Sequence, residues 1–282
     1  MIREFALENE YAERVSLTVS PELGALLLEP AGLGFSMQNK YTRVGHVYKL
    51  TDSSIDQSEI SGDLIFSTYE GFRSFANFIA RSGSLKLLYR CVEGDGWYYR
   101  DVDVKELEKG EITDEKVLTC PVTFECRTLY YQDDTITYIV AATAMDRRYS
   151  IPYPNRYSDF SERTDILSND GHIPAPVTCV ISGYCENPRI QLMDGEKNAV
   201  YDITFPVTLQ EGESVEYSSM DGAARAEKVG ADGTRTNIVN LLDLENDNWI
   251  RVPIGAYTLR FSSDTGTANR TSYVMHRFFK AV

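Results

Sequence analysis

A single predicted helix limits what this chain can fold into, because its other regular segments alternate in the manner of strands. Residues 62–104 carry the order strand, helix and hairpin, with the helix over residues 67–81. Tyrosine and phenylalanine are frequent, with 18 and 12 copies, and both suit pleated, half-buried surfaces. We therefore predict a mainly β fold of the β-rich α+β type rather than a helical bundle.

The ends of the predicted helix carry capping signals. Ser67 and Glu70 have the spacing of a capping box, in which the serine hydroxyl accepts a hydrogen bond from the Glu70 amide. Ser82 and Gly83 predict the end of the helix, because glycine adopts the left-handed conformation at little cost.

The apolar side chains of this helix form an unusually wide arc. Four of them recur at helical spacing and share one face: Tyr69, Phe72, Phe75 and Ile79. Phe78 lies about 120° from the centre of that face. The arc exceeds what contact with one sheet needs, so the helix is either nearly buried in its own domain or packs on a second surface as well. We take these five residues as candidates for a subunit interface.

The charge of the chain excludes several kinds of partner. Its net charge is −14 and its pI is near 4.7, whereas binding to phosphates or anionic lipids needs clustered Lys and Arg. No apolar run approaches the length of a membrane span, and the first ten residues contain no apolar core of a signal peptide. We therefore expect neither a membrane span nor secretion by a signal peptide.

The cysteines indicate buried thiols rather than a disulfide framework. There are five, an odd number, and no two have CxxC spacing. Cys120 and Cys126 fall on the apolar side of an alternating strand over residues 118–126. We expect both to be buried thiols in a reducing compartment.

Turn signals divide the chain into two parts. In the first, residues 45–50 and 59–66 are predicted strands, and the polar loop 51–58 between them predicts a projecting hairpin. From residue 133 onward, many short strands are separated by turns rich in Gly, Asn and Asp, which is typical of a β-sandwich. We place the boundary at Gln132, giving domains 1–132 and 133–282.

No motif for catalysis or cofactor binding is present. The sequence lacks a phosphate-binding GxxxxGK[ST], an HExxH and a GxSxG, so we predict no catalytic residue, cofactor or metal. Carboxylates alternate at Asp243, Glu245 and Asp247. This spacing is compatible with a calcium site and with a solvated turn. Three aromatic residues are candidates for stacking on a sugar ring, although aromatic residues in sandwich strands are usually core: Tyr201, Trp249 and Tyr257.

Short runs along the chain carry a family resemblance. In the N-terminal half they are PAGLG (30–34), GDLIF (62–66), the aromatic helix (69–79), LLY (87–89), YRDV (99–102), VTF (122–124) and LYY (129–131). In the C-terminal half they are Gly183 with NP (187–188), LD (242–243), VPIG (252–255) and LRF (259–261). In this order, and over nearly the whole chain, they resemble the distal tail protein family of siphophages, which forms the hub of the baseplate.

The resemblance implies a structural role at the virion tail tip for a protein made in the bacterial cytoplasm. Residues 1–132 would form a homo-hexameric ring whose sheet lines the tail channel, with the helix packed behind it. Residues 133–282 would form a galectin-like β-sandwich that projects from the ring. The implied partners are the tail tube protein, the spike or lysin protein and a receptor-binding protein, while DNA crosses the channel without specific binding.

Other functions stay open on the sequence alone. A carbohydrate-binding protein would use exposed aromatic residues of the C-terminal sandwich, with Tyr201, Trp249 and Tyr257 as candidates. A glycoside hydrolase would need two carboxylates facing one cleft. A tube protein or a contractile-tail hub would also form rings. If the chain is a baseplate hub, as the resemblance implies, we predict that it is not an enzyme.

Overall fold

The computed structural model describes residues 3–18, 25–92, 96–112, 117–140 and 163–282, with the backbone alone at 138–140, 163 and 266–269. The chain divides into two compact units, residues 1–132 with 278–282, and residues 133–277. Strands make up 59 % and helix 7 % of the structure, which confirms the mainly β class.

The first unit contains nine strands, the beginning of a tenth and one helix in the described residues. They are β1 (Glu4–Asn9), β2 (Arg14–Ser16), β3 (Leu26–Ala31), β4 (Met37–Val44), β5 (Val47–Ile55), β6 (Glu59–Phe66), α1 (Tyr69–Arg81), β7 (Leu85–Arg90), β8 (Tyr98–Leu107), β9 (Leu118–Cys126) and β10 (Tyr130–Val140). Antiparallel pairing gives the order β3-β6-β9-β8-β7-β1-β2, and β10 also pairs with β8. Strands β4 and β5 pair only with each other and form a separate hairpin.

The sheet and helix of the first unit share one apolar core. Strand β9 alternates as predicted, with Cys120, Phe124 and Cys126 each at most 3 % exposed. Both thiols are buried and free, which confirms the predicted burial of these two side chains. The helix packs on β6 through Phe66, whose ring centroid lies 5.6 Å from that of Phe75. These contacts bury one face of the helix, at Gly71, Phe75 and Phe78, and leave the opposite face exposed.

The helix begins one residue later than the capping pattern predicts. Thr68 is the N-cap, with an extended backbone, and its hydroxyl accepts a hydrogen bond from Gly71 N at 3.1 Å. The predicted pair of Ser67 and Glu70 is therefore wrong. The residue three places after Thr68 is glycine, so no carboxylate completes a capping box.

The end of the helix also differs from the prediction in its mechanism. Gly83 does not adopt the left-handed conformation. Instead, Ser82 N donates to the Ile79 carbonyl at 3.1 Å and the Ser82 hydroxyl donates to the Phe78 carbonyl at 2.8 Å. The serine thus satisfies two of the carbonyls that a helix end leaves unpaired.

A carboxylate from the turn after β1 holds the segment that leaves the helix. Glu10 accepts hydrogen bonds from Gly83 N at 2.7 Å and from Ser84 N at 3.1 Å, and these bonds lower the pKa of its carboxyl from its ordinary value. The bonds favour the ionised form of Glu10, so the stabilisation they give is present above the ordinary pKa and is lost as the pH falls through the lowered one.

We expect Glu10→Gln to lower Tm at pH 7, and we expect its Tm to differ less from that of wild type at pH 3. Thermal unfolding measured between these two pH values tests this. A difference in Tm that is the same at both values would contradict the role of the charge.

The second unit contains two packed sheets. Its strands are β11 (Arg163–Asn169), β12 (Ala175–Glu186), β13 (Arg189–Met193), β14 (Ala199–Thr204), β15 (Thr208–Leu209), β16 (Ser214–Ser218), β17 (Arg225–Val229), β18 (Arg235–Asn237), β19 (Arg251–Val252), β20 (Gly255–Ser262) and β21 (Thr265–Phe279), with a 3-10 turn at Val239–Leu241. One sheet has the order β18-β17-β16-β12-β21-β10, with β15 and β19 also on β12, and the other has the order β11-β20-β13-β14.

Side chains from both sheets meet in one core. Leu192 and Leu259 come from the four-stranded sheet, and Ile181, Tyr217 and Tyr273 come from the larger one, and all are at most 2 % exposed. Residues on one side of each strand therefore point inward, as in a sandwich. This arrangement agrees with the sandwich that the turn spacing predicts for this part of the chain.

Candidate subunit interface

The hairpin of β4 and β5 is the most exposed element of the first unit. Every residue of both strands is exposed except Ile55, which is half-buried. The strands are joined by Gly45 and His46, and Gly45 has a φ of +64° that a two-residue hairpin turn requires at its first position. A two-stranded ribbon is marginal in water by itself, so a partner surface would stabilise it.

One face of this ribbon is apolar. The pairing register opposes Tyr41 to Leu50 and Arg43 to Tyr48, so these four side chains share one face. The extra residue at Thr51 places Ile55, opposite Met37, on the same face. Tyr48 is 70 %, Tyr41 is 56 % and Leu50 is 48 % exposed. We define the apolar face of the hairpin as five side chains: Met37, Tyr41, Tyr48, Leu50 and Ile55. Contiguous exposed apolar side chains of this kind mark protein interaction surfaces.

The hairpin also differs in charge from the rest of the chain. Residues 37–55 contain three basic side chains, Lys40, Arg43 and Lys49, and one acidic side chain, Asp52. Their net charge is therefore +2, while the whole chain carries −14. A basic, apolar projection on an acidic protein suits docking on an acidic protein surface, because opposite potentials steer association.

The position of the predicted hairpin needs correction. The sequence pattern placed its loop at residues 51–58, between strands at 45–50 and 59–66. The structure places the turn at Gly45 and His46, with Met37–Val44 and Val47–Ile55 as its strands. The signal was the alternation on both sides of Val44-Gly-His-Val47, which fits a hairpin with a two-residue turn. Sequence reasoning therefore missed Tyr41, Tyr48 and Leu50 as interface candidates.

The five helix candidates do not share one environment. Phe75 is 0 % and Phe78 is 9 % exposed, and both lie in the core of the first unit. Phe72 and Ile79 are half-buried at its border, and Tyr69 is 41 % exposed. Phe78, which helical spacing separates from the stripe of the other four residues, is buried in its own unit. The buried face is centred on Gly71, Phe75 and Phe78.

Tyr69 and Phe72 also line a surface groove on the exposed side of the helix. The groove has a volume of 550 Å³, and Glu70, Arg73, Ala76 and Lys109 complete its lining. The Tyr69 hydroxyl donates to Glu111 Oε2 at 2.7 Å, and Lys109 Nζ lies 5.1 Å from the centroid of the Tyr69 ring. The groove is thus part apolar and part charged, a composition typical of protein contacts.

The three aromatic candidates for sugar stacking face the core of the second unit. Tyr201 pairs with Leu192 in the register of the sheet, and Tyr257 lies two residues before Leu259, so both share the inward face. Trp249 stacks on Tyr217 with a centroid distance of 6.0 Å. All three are half-buried and pack against the core. Contact of these residues with a saccharide stays a prediction.

The alternating carboxylates cap a turn. Asp243 accepts from Glu245 N at 3.1 Å and from Asn246 Nδ2 at 2.7 Å, and Asp247 accepts from Trp249 N at 3.0 Å. Across the described residues, no three His, Cys, Asp or Glu side chains are grouped to hold a metal ion. No described helix has the length and apolarity to cross a membrane.

The comparisons with known proteins agree on one family. Residues 4–127 match the family model of the distal tail protein, N-terminal domain. No curated protein sequence matches the chain. The fold is similar to a chain of the phage P2 baseplate in its activated conformation with Ca, with a TM-score of 0.63, 15 % identity and 100 % coverage of both chains. It is also similar to phage SPP1 Dit, with a TM-score of 0.60, 14 % identity and coverage of 96 % of this chain and 98 % of that one.

These matches confirm the resemblance that the sequence runs carry. The family model covers residues 4–127, and the two phage proteins share the fold of nearly all of the chain. Residues 4–127 are thus similar to a distal tail protein N-terminal domain, and nearly the whole chain has the fold of the phage P2 baseplate chain and of phage SPP1 Dit.

Proposed function

We propose that this protein forms a homo-hexameric ring that serves as the hub of a phage baseplate. The ring joins the last ring of the tail tube to the spike or lysin protein at the tail tip. The observation that carries this proposal is the apolar face of the hairpin, which is exposed in the single chain. A neighbouring copy that covers this face removes its apolar side chains from water, and burial of apolar area drives association.

The second surface of the interface is the groove beside the exposed side of the helix. Tyr69 and Phe72 offer apolar contact there, and Glu70 and Glu111 offer carboxylates to the basic hairpin. In a closed ring, each copy donates its hairpin to one neighbour and receives one from the other, as a heterologous interface requires. The interface role of the helix is thereby limited to its exposed side chains.

The second unit acts as a peripheral arm in this proposal. Residues 133–282, as a galectin-like sandwich, carry the attachment of a receptor-binding protein, and residues 1–132 form the ring. The protein works through subunit contacts and makes no covalent bonds, so contact with the host at the tip is passed to the channel by movements at these interfaces. The net charge of −14 suits a conduit for DNA, because like charges repel. A positive potential in the lumen of the assembled ring would contradict this role for the charge.

The solution mass of the purified chain, with negative-stain imaging of the same sample, tests the proposal. Closed six-membered rings with a central pore support it. Long tubes would assign the protein to the tail tube instead. A monomer at every concentration would favour the alternative of a carbohydrate-binding protein, and a glycan array on the full chain would then measure that binding.

A further inference from the structure

A buried arginine of the first unit has no counter-ion among the residues that the structure describes. Arg100 on β8 is 2 % exposed; its Nε donates to the Thr128 carbonyl at 2.8 Å and its Nη2 donates to the Ser58 hydroxyl. Its Nη1 is buried and has no hydrogen-bond partner in the described part of the chain. A buried charge without a partner is costly, so native proteins rarely retain one unless something pairs with it.

The neighbours of Arg100 do not neutralise its charge. No carboxylate of the described residues forms an ion pair with it. Burial raises the pKa of the Cys126 thiol and raises the pKa of Tyr130 to about 12, so both stay uncharged at neutral pH. The guanidinium carbon lies 4.8 Å from the centroid of the Tyr130 ring, a contact weaker than an ion pair. A water molecule that accepts a hydrogen bond from Nη1 would leave the positive charge of Arg100 uncompensated.

Arg100 lines an open cleft of 530 Å³, together with residues 55–58 and 126–129. The other charged side chains of the cleft have partners. Arg127 pairs with Asp103 at 3.4 Å, and Asp56 accepts from Gln38 at 2.9 Å. Because Gln38 is neutral, Asp56 adds a negative charge to the cleft, but among the described residues it forms no hydrogen bond to Arg100. Nη1 of Arg100 is therefore a donor of the cleft without a partner, and the cleft has room for a second carboxylate.

We propose that this cleft binds a carboxylate, which an acidic side chain of a neighbouring copy of the chain supplies. The cleft lies at the foot of the hairpin, since residues 55–58 follow directly on β5, and it is therefore continuous with the proposed subunit interface. The chain has 42 acidic and 28 basic residues, so a neighbour is rich in carboxylates. This inference rests on the proposed ring, and an arginine–carboxylate pair would lock the hairpin at its base.

Acetate binding to the single chain tests the site without assembly. The probe is sodium acetate against sodium chloride at equal ionic strength, added to a monomeric variant with Tyr48→Ser and Leu50→Ser. We expect acetate in excess of its Kd to raise Tm by about 2–4 °C. Adding Arg100→Met should abolish the shift, whereas Arg127→Met, which changes the paired arginine of the same cleft, should keep it. If acetate raises the Tm of the Arg100→Met protein as much, or does not raise the Tm of the Tyr48→Ser, Leu50→Ser parent, the cleft is not a carboxylate site.

Two further measurements separate this site from the ring itself. If Arg100→Met does not fold, the side-chain ¹⁵N resonances of the folded parent give the same answer, because the Arg100 signal should move with acetate. In wild-type protein that forms rings, Arg100→Met should weaken assembly about 30-fold or more relative to Arg127→Met. If the two variants assemble equally well, a neighbouring copy does not supply the carboxylate that binds in the cleft. Failure of wild type to form rings would refute the proposed function, while the acetate result would still decide the site.

Discussion

Replacing Tyr48 and Leu50 with serine is expected to leave the chain folded but to prevent ring assembly. Both side chains are at least 48 % exposed in the single chain, so their removal costs little folding free energy. At an interface, truncating a buried aromatic anchor costs about 2 kcal/mol or more, and the pair together about 4 kcal/mol. The dissociation constant of each contact should therefore rise about 1000-fold. Light scattering after size-exclusion chromatography measures the loss of rings, and circular dichroism checks the fold.

The opposite face of the hairpin provides the matched control. Thr42→Ser and Ser54→Ala lie on that opposite face, in the same two strands, and both residues are exposed. This double variant should assemble like wild type. Rings that form equally well with Tyr48→Ser and Leu50→Ser would exclude the apolar face of the hairpin as a subunit contact.

Phe75→Ala is expected to destabilise the first unit by about 3–5 kcal/mol, because it leaves a cavity where a fully buried ring packs. Phe78→Asp should be at least as damaging, since its carboxylate would enter the core without a partner. Chemical denaturation of a Trp249→Phe background measures this effect, because Trp97 then reports on the first unit alone.

Tyr69→Ala is the control for the helix. Its ring is 41 % exposed, so the free energy of unfolding should change by less than about 1 kcal/mol while assembly weakens. The sequence left open whether Phe78 faces its own domain or a second surface, so Phe78→Asp could impair either folding or assembly. The structure favours loss of folding, and a stable, monomeric Phe78→Asp protein would contradict the burial of this side chain.

The two buried helix positions show how far the sequence could lead. Helical spacing correctly identified an amphipathic helix, but it separated Phe78 from the stripe of the other four residues. The arc of apolar residues was wide enough to be centred in more than one way, and only contact with Phe66 on β6 decides which ring is covered. The predicted first residue of the helix was wrong for a similar reason. Ser67 and Thr68 can both cap a helix, and the end of β6 at Phe66 leaves Thr68 in the extended conformation that a cap requires.

The hairpin illustrates the same limit for the candidate interface. Its strands could have been found from the alternation around Gly45 and His46, yet alternation does not say whether an apolar face meets the core or water. That depends on which other segments lie above it. In the described residues, no other strand pairs with β4 or β5, and their apolar face stays exposed.

The sequence by itself determined the mainly β class, the single helix, the buried thiols and the family resemblance. These follow from local periodicity, from turn residues and from short runs in a fixed order, all of which are properties of neighbouring residues. The tertiary structure alone decided that Phe78 is core, that Tyr48 and Leu50 are surface, and that Arg100 is buried without a counter-ion among the described residues. Burial and charge pairing depend on segments far apart in the chain, and local pattern carries no information about what covers a side chain.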